Sequence, residues 1–410
     1  MANISRRGLF GALGALAVPH WFPRMAFAAP AELATGTDTL ICVFLRGGAD
    51  GLNVVVPFGD SHYYRNRPTL AIREPGGGGG RALNLNGFFG LHPALGRLKE
   101  LYDDGVLAAV QATGSTAGRH SHFDAMDFME RGTPGERKLV SGWIGRHLAS
   151  LTSANDSPFR AVGFGQIVQA SLRGPVPATA LASISDFHLQ GFEAERFQAT
   201  LAGLYSGSSF LDVQALTTFG AVSRLAAANP GQYEPGNGAA YPDTDFGSAM
   251  RQVAQIVKAD LGLEVACVDV GGWDTHEEQG GKTGYMADLL ADLAAGLHAF
   301  YTDLEDRMGR ITVLTMTEFG RRPEENASAG TDHGVASFMF ALGGGINGGK
   351  VHGTWPGLAP QALDEGDLAV TTEYRAVLAE IVQKRLGNPR LGDVFPGIGN
   401  PSFLGICREG

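Results

Sequence analysis

Four apolar runs constrain this chain more than any other feature: Thr39–Leu45 (TLICVFL), Val106–Gln111 (VLAAVQ), Val265–Val270 (VACVDV) and Ile311–Met316 (ITVLTM). Each is continuous rather than alternating, and most are rich in β-branched residues, which is the pattern of a strand buried on both faces. Segments with helical spacing lie between them, notably His92–Asp103, Phe246–Leu261 and Tyr285–Arg307. A fifth apolar run, Ser337–Leu342, follows, and Tyr374–Arg385 reads as a closing helix. Strands alternating with helices predict an α/β fold, a three-layer αβα sandwich around a mainly parallel sheet. The middle of the chain, roughly 150–260, reads as helical patches joined by loops, an insertion into one domain spanning 29–410. The only linker-like stretch, Asn229–Pro242, is too short to argue for a second domain, and no internal repeat is visible.

The N-terminus follows different rules. Ser5-Arg6-Arg7-Gly8-Leu9-Phe10 opens on a paired arginine and leads into a short, small-residue apolar stretch ending at Val18. A bilayer-spanning helix needs about 20 apolar residues, so this stretch is too short to be one. Ala26-Phe27-Ala28 supplies an A-x-A cleavage site, with Pro30 just beyond it. Residues 1–28 are therefore expected to be a twin-arginine signal peptide, and its translocation machinery the first partner. The mature chain is expected outside the cytoplasm, periplasmic or secreted, with no membrane span.

Composition excludes several classes. The formal net charge of −10 opposes binding to nucleic acid or to an anionic membrane. Three cysteines, Cys42, Cys267 and Cys407, do not make a disulfide scaffold, and the first two lie inside strand-like runs as small buried thiols. The glycine run Gly76–Gly80 lacks the Lys-Ser/Thr pair and the helix start that a phosphate-binding loop requires. No dinucleotide fingerprint, haem motif or cysteine cluster supports a redox enzyme.

Polar residues gather where the apolar runs end. Asp50 follows the first run, Asp274 and His276 follow the third, and Glu318 follows the fourth. Asp332 and His333 sit between glycines, in the loop expected before the fifth. In an open α/β sheet, ligands bind beyond the carboxyl ends of the strands, so these six are candidate metal ligands. Each has a plainer alternative. Asp50 suits a Gly-rich turn, and Asp274 with His276 suits a helix cap plus a surface histidine. Carboxylates and imidazoles without thiolates fit a divalent cation: zinc, manganese, magnesium or calcium.

The segments LRGGADGLNVVVP, SHFDAMDFMERG, GGWDTHEEQ, TEFGRRPEENASAGTDHG and LGGGINGGKVHG resemble the exported domain-of-unknown-function 1501 family. That family is similar in fold to the alkaline phosphatase/sulfatase superfamily. The resemblance implies an acidic ligand at Asp50 and an Asp-and-His pair at Asp274 and His276. Two registers fit the remaining ligands. In one, Asp332-His333 form the superfamily's Asp-His pair and His352 is the late histidine. In the other, Glu318-Phe319 take the Asp-His position and His333 is the late histidine. The second keeps Glu318 directly at a strand end, but it puts Phe319 where a histidine is expected.

The resemblance also implies a hydroxyl nucleophile at a helix N-terminus after the second strand. Ser121 matches best, ahead of Thr116 and Ser115; the alternative is that Ser121 only caps a helix. His120 and His122 flank it as possible ligands or acid/base groups. Arg46, Arg119 and Arg321 are candidate oxyanion binders. No C-x-P-x-R motif is present, which argues against a formylglycine sulfatase. The expected activity is metal-dependent hydrolysis or transfer of a phosphate or sulfate ester, on a small-molecule or polymer substrate. The competing expectation is a non-catalytic exported binding protein that keeps the fold and one structural metal.

Overall fold

The computed structural model describes residues 38–155, 157–165, 167–184, 203–205, 207, 209–227 and 233–408. The expected signal peptide, and part of the linker-like stretch, lie outside the described residues. Nine strands build the central sheet. In chain order they are β1 (Thr39–Leu45), β2 (Leu107–Gly114), β3 (Ala161–Phe164), β4 (Thr179–Leu181), β5 (Val265–Val270) and β6 (Ile311–Met316). After a two-stranded ribbon, β7 (Arg321–Glu325) and β8 (Thr331–His333), the sheet resumes with β9 (Ser337–Leu342), β10 (Lys350–His352) and β11 (Thr372–Glu373). The order across the sheet is β10-β2-β9-β6-β1-β5-β3-β4, with β11 also paired to β2.

β1 lies at the centre, parallel to β5 on one side and to β6 on the other. Only β9, among the described strands of this sheet, runs against its neighbours, antiparallel to both β2 and β6. The chain explains the reversal. A parallel return needs a crossover of a dozen or more residues, usually helical, and only the β7–β8 ribbon lies between Met316 and Ser337.

Alternate residues of β1 face opposite layers. Ile41, Val43 and Leu45 pack in one core with α1 (Gly96–Asp103), α5 (Asp245–Lys258) and α6 (Tyr285–Asp303). Leu40, Cys42 and Phe44 pack in a second core with α3 (Trp143–Ser150) and α7 (Tyr374–Lys384). Among the described residues, the other helices of eight or more residues are α2 (His122–Arg131) and α4 (Phe210–Ala227). The fold is thus an αβα sandwich on a mainly parallel sheet. Two expectations need correction. The 150–260 region is not only helical, because β3 and β4 extend the sheet from within it. His333 is not in a loop, because the β7–β8 ribbon pairs Arg321 with it. All three cysteines are free and buried, as the strand-like settings of Cys42 and Cys267 imply for those two. No helix among the described residues is long and apolar enough to cross a membrane.

Candidate metal centre

β1, β5 and β6 end side by side, and the segments that leave them interlock. At Gly47, φ is +126° and an added Cβ would lie 2.4 Å from the backbone nitrogen of Asp274, so only glycine lets the loop after β1 meet the loop after β5. The fully buried Arg321 ties these turns together. Its guanidinium donates to the carbonyls of Gly48, Thr331 and Trp273 and, at 2.6 Å, to Asp274 Oδ1. Arg321 is therefore a brace for the loops, with its donors already committed, rather than the free oxyanion binder expected of it.

Helix α2 delivers a second set of groups. Ser121 is its N-cap, the Oγ accepting from the Asp124 N–H at 3.4 Å, and Gly132 closes it at φ +64°. Asp124 in the first turn and Arg131 in the last complement the helix dipole. This capping sets His122 as the first helical residue, beneath the loops after β5 and β6. His122 Nδ1 lies 2.8 Å from Glu318 Oε1. Glu318 is itself buried and also accepts from Gly47 N–H at 2.9 Å and Thr317 Oγ1 at 3.1 Å.

Three imidazoles converge on Asp274. His122 Nε2 lies 3.4 Å from Asp274 Oδ2, while His276 Nε2 and His333 Nε2 each lie 3.2 Å from Asp274 Oδ1. Ligand atoms of His122, Asp274 and His333 all fall within 4.8 Å of one another. His276 Nε2 is 2.9 Å from His333 Nε2.

The other ring nitrogen of each histidine already has an acceptor. His122 Nδ1 faces Glu318, His276 Nδ1 faces Asp332 Oδ1 at 3.2 Å, and His333 Nδ1 faces the His120 carbonyl at 3.1 Å. Assigned from these partners, each Nδ1 carries the proton and each Nε2 presents a lone pair. Two lone pairs 2.9 Å apart repel unless a cation or a proton lies between them. His122 Nε2 is, in addition, a buried atom without any hydrogen-bond partner, a state that costs about 1–3 kcal/mol if nothing fills it. Three imidazole nitrogens and one carboxylate, with carboxylate or carbonyl partners behind each ring, fit a divalent ion of the zinc or manganese type. They fit less well the oxygen-only shells that calcium and magnesium prefer.

Electrostatics agree with that donor set. Burial pushes the Asp274 carboxyl up, but the hydrogen bond and the charge of Arg321 oppose it, and the group is held at about 2. Burial lowers His333 below the usual histidine range, against the pull of Asp274, so the ring is neutral at pH 7.

The structure brings together some of the expected residues and separates others. Asp274, His276 and His333 meet, and His122 joins them as a ligand candidate. Glu318 and Asp332 stand one step back, each holding a ring nitrogen. Asp50 does not enter the cluster. Its carboxylate is fully buried and bound bidentately by Arg67, at 2.5 and 2.9 Å, with Gln279 donating at 2.7 Å. Arg46 spans Glu130 at 2.9 Å and Asp269 at 2.8 Å, and Arg119 pairs with Asp364 and Glu365, so both guanidinia are occupied. Phe319 packs against His122 and His333, with ring centroids 4.8 and 4.7 Å apart, as an apolar wall. His352 lies on β10, near the carbonyls of Asn347 and Leu404. Sequence reasoning missed Arg67, which caps the short helix Ser61–Asn66 at its C-terminal end.

Fold and site together define an αβα-sheet protein with a histidine and aspartate cluster at its strand ends. The chain belongs to the family described as "Protein of unknown function (DUF1501)", whose model matches residues 37–378. No curated protein matches it. Among solved structures it is similar to the PsFucS1 sulfatase from Pseudoalteromonas sp., at 11% identity and a TM-score of 0.39, covering 91% of this chain and 74% of that one. It is also similar to alkaline phosphatase from the Antarctic bacterium TAB5, at 8% identity and a TM-score of 0.30, covering 77% and 95%.

Proposed function

We propose that the protein is an exported, metal-dependent hydrolase or transferase acting on phosphate or sulfate esters. One observation carries the reading: the bare Nε2 atoms of three histidines, each with its other nitrogen held, converge on one carboxylate. When bound, a divalent ion there supplies the concentrated positive charge that an ester's developing oxyanion needs. The chain's own residues supply the rest. Glu318, Asp332 and the His120 carbonyl keep the three rings in one tautomer, and Arg321 keeps Asp274 ionised. Ser121, adjacent to His122, carries the hydroxyl proposed as nucleophile. The amide end of α2 beneath it favours an anionic ester. The donor set narrows the ion to zinc or manganese, and Asp50, engaged by Arg67, leaves the proposed centre with one ion rather than two.

The test begins with full-length protein purified after export, its metal content measured, and its activity assayed on aryl phosphate mono- and diesters and an aryl sulfate. The expected result is about one zinc or manganese per chain, with hydrolysis abolished by Asp274→Asn and lowered at least about 100-fold by Ser121→Ala. Metal retained without hydrolysis of any ester favours the non-catalytic binding protein. Absence of both metal and activity overturns the proposal.

A further inference from the structure

The ring of His333 is held by a main-chain atom, and the residue that offers that atom is itself unusual. His120 has φ +60°, in the left-handed region that a non-glycine side chain rarely adopts. Such a conformation persists only where the surroundings impose it. Here the surroundings are identifiable. His120 Nε2 lies 2.8 Å from Oδ2 of Asp367, a carboxylate whose side chain is 0% exposed. Asp367 ends a tight turn closed by its N–H to the Asp364 carbonyl at 3.0 Å, with Glu365 and Gly366 both at positive φ. Arg119, next to His120, pairs with Asp364 and Glu365 of the same turn, and Arg322 Nε faces Asp367 Oδ1 at 3.4 Å. The 364–367 turn thus grips the segment before α2 from outside the cluster.

We infer that Asp367 is a positioning residue for the centre: by clamping the His120 side chain it fixes the left-handed backbone that aims the His120 carbonyl at His333 Nδ1. That carbonyl holds the proton on Nδ1 and leaves Nε2 free toward Asp274. Asp367 touches none of the four converging side chains; one carboxylate oxygen reaches the centre through His120, and the other faces Arg322 of β7. Its contribution to metal binding rests on the reading above; its contribution to the His333 tautomer does not.

The experiment labels histidine with 15N and reads the His333 tautomer from long-range proton–nitrogen correlations in metal-free protein, assigning the signal with His333→Gln. Zinc affinity is measured in parallel by competition with a chromogenic chelator. Wild type is expected to show His333 protonated on Nδ1. Asp367→Ala is expected to mix the tautomers and weaken zinc about 10–100-fold, the usual effect of losing a group that orients a ligand. Asp367→Asn, which keeps an oxygen for His120, is expected to restore both. Should Asp367→Ala fail to fold, His120→Ala removes the same clamp from its more exposed end and is expected to mix the tautomers likewise. An unchanged tautomer in the folded variant overturns the inference. Wild type that binds no zinc but shows the Asp367-dependent tautomer overturns the metal reading and leaves the positioning intact.

Discussion

At the scale of single residues, the centre depends on which carboxylates are free and which are already engaged. Asp50 and Glu318 both follow a strand that ends beside the cluster, yet they have different work. Asp50 neutralises Arg67 in the interior, where neither charge tolerates solitude. Glu318 receives the His122 proton and two further donors, so its own charge is spread over hydrogen bonds. Glu318→Gln keeps the volume and removes the charge. The expected outcome is zinc affinity about 10–100-fold weaker with little change in thermal stability, read by chelator competition and by calorimetry on the same sample. Unchanged affinity would show that His122 needs no carboxylate behind it. The sequence made Asp274, His276 and His333 visible because polar residues at the ends of buried strands have no packing role. It could not reveal that Asp50 is engaged, because its partner Arg67 lies 17 residues on, at the C-cap of the short helix Ser61–Asn66, and no periodicity links the two.

At the scale of elements, the site exists because loops meet with almost no space between their backbones. A Cβ added at Gly330 would lie 2.2 Å from the carbonyl oxygen of His276, so the β7–β8 ribbon can touch the Asp274–His276 loop only while residue 330 is glycine. Gly330→Ala must therefore push the ribbon, and His333 with it, away from Asp274. The expected cost is about 1–3 kcal/mol in urea-induced unfolding, together with a loss of metal binding larger than that of Glu318→Gln. Equal stability and affinity in the variant would mean the ribbon moves without consequence. Strands β1, β5, β6 and β9 were legible to the residue, since long apolar runs bounded by polar turns have few other readings. Strands β3 and β4, of four and three residues, were not: segments that short show no period that separates them from helix or loop. The direction of β9 was readable in principle, because no helix separates it from β6.

At the scale of the whole molecule, the face of the sheet opposite α5 and α6 carries a buried histidine that has no part in the centre and sets how the fold responds to acid. His147 on α3 is 4% exposed, and its Nδ1 accepts from Asn388 Nδ2 at 3.0 Å, joining segments 241 residues apart. Burial, reinforced by the charge of Arg160, lowers its pKa to about 4. The unfolded chain binds this proton near pH 6.5, the folded chain only near 4, so the unfolded state is favoured as pH falls between them. The associated stability is complete above about pH 7 and lost on acidification through that window. At about 1.4 kcal/mol per pH unit it amounts to on the order of 3 kcal/mol. Urea titrations from pH 7.5 to 4 read this directly. His147→Asn places an amide oxygen near the position of Nδ1 and cannot be protonated, so its stability is expected to fall by about 3 kcal/mol less than wild type over the same range. Parallel profiles for the two proteins would mean that His147 is not held neutral. The sensitivity would then lie among the carboxylates of the strand-end loops, and acid would dismantle the centre before it loosened the core.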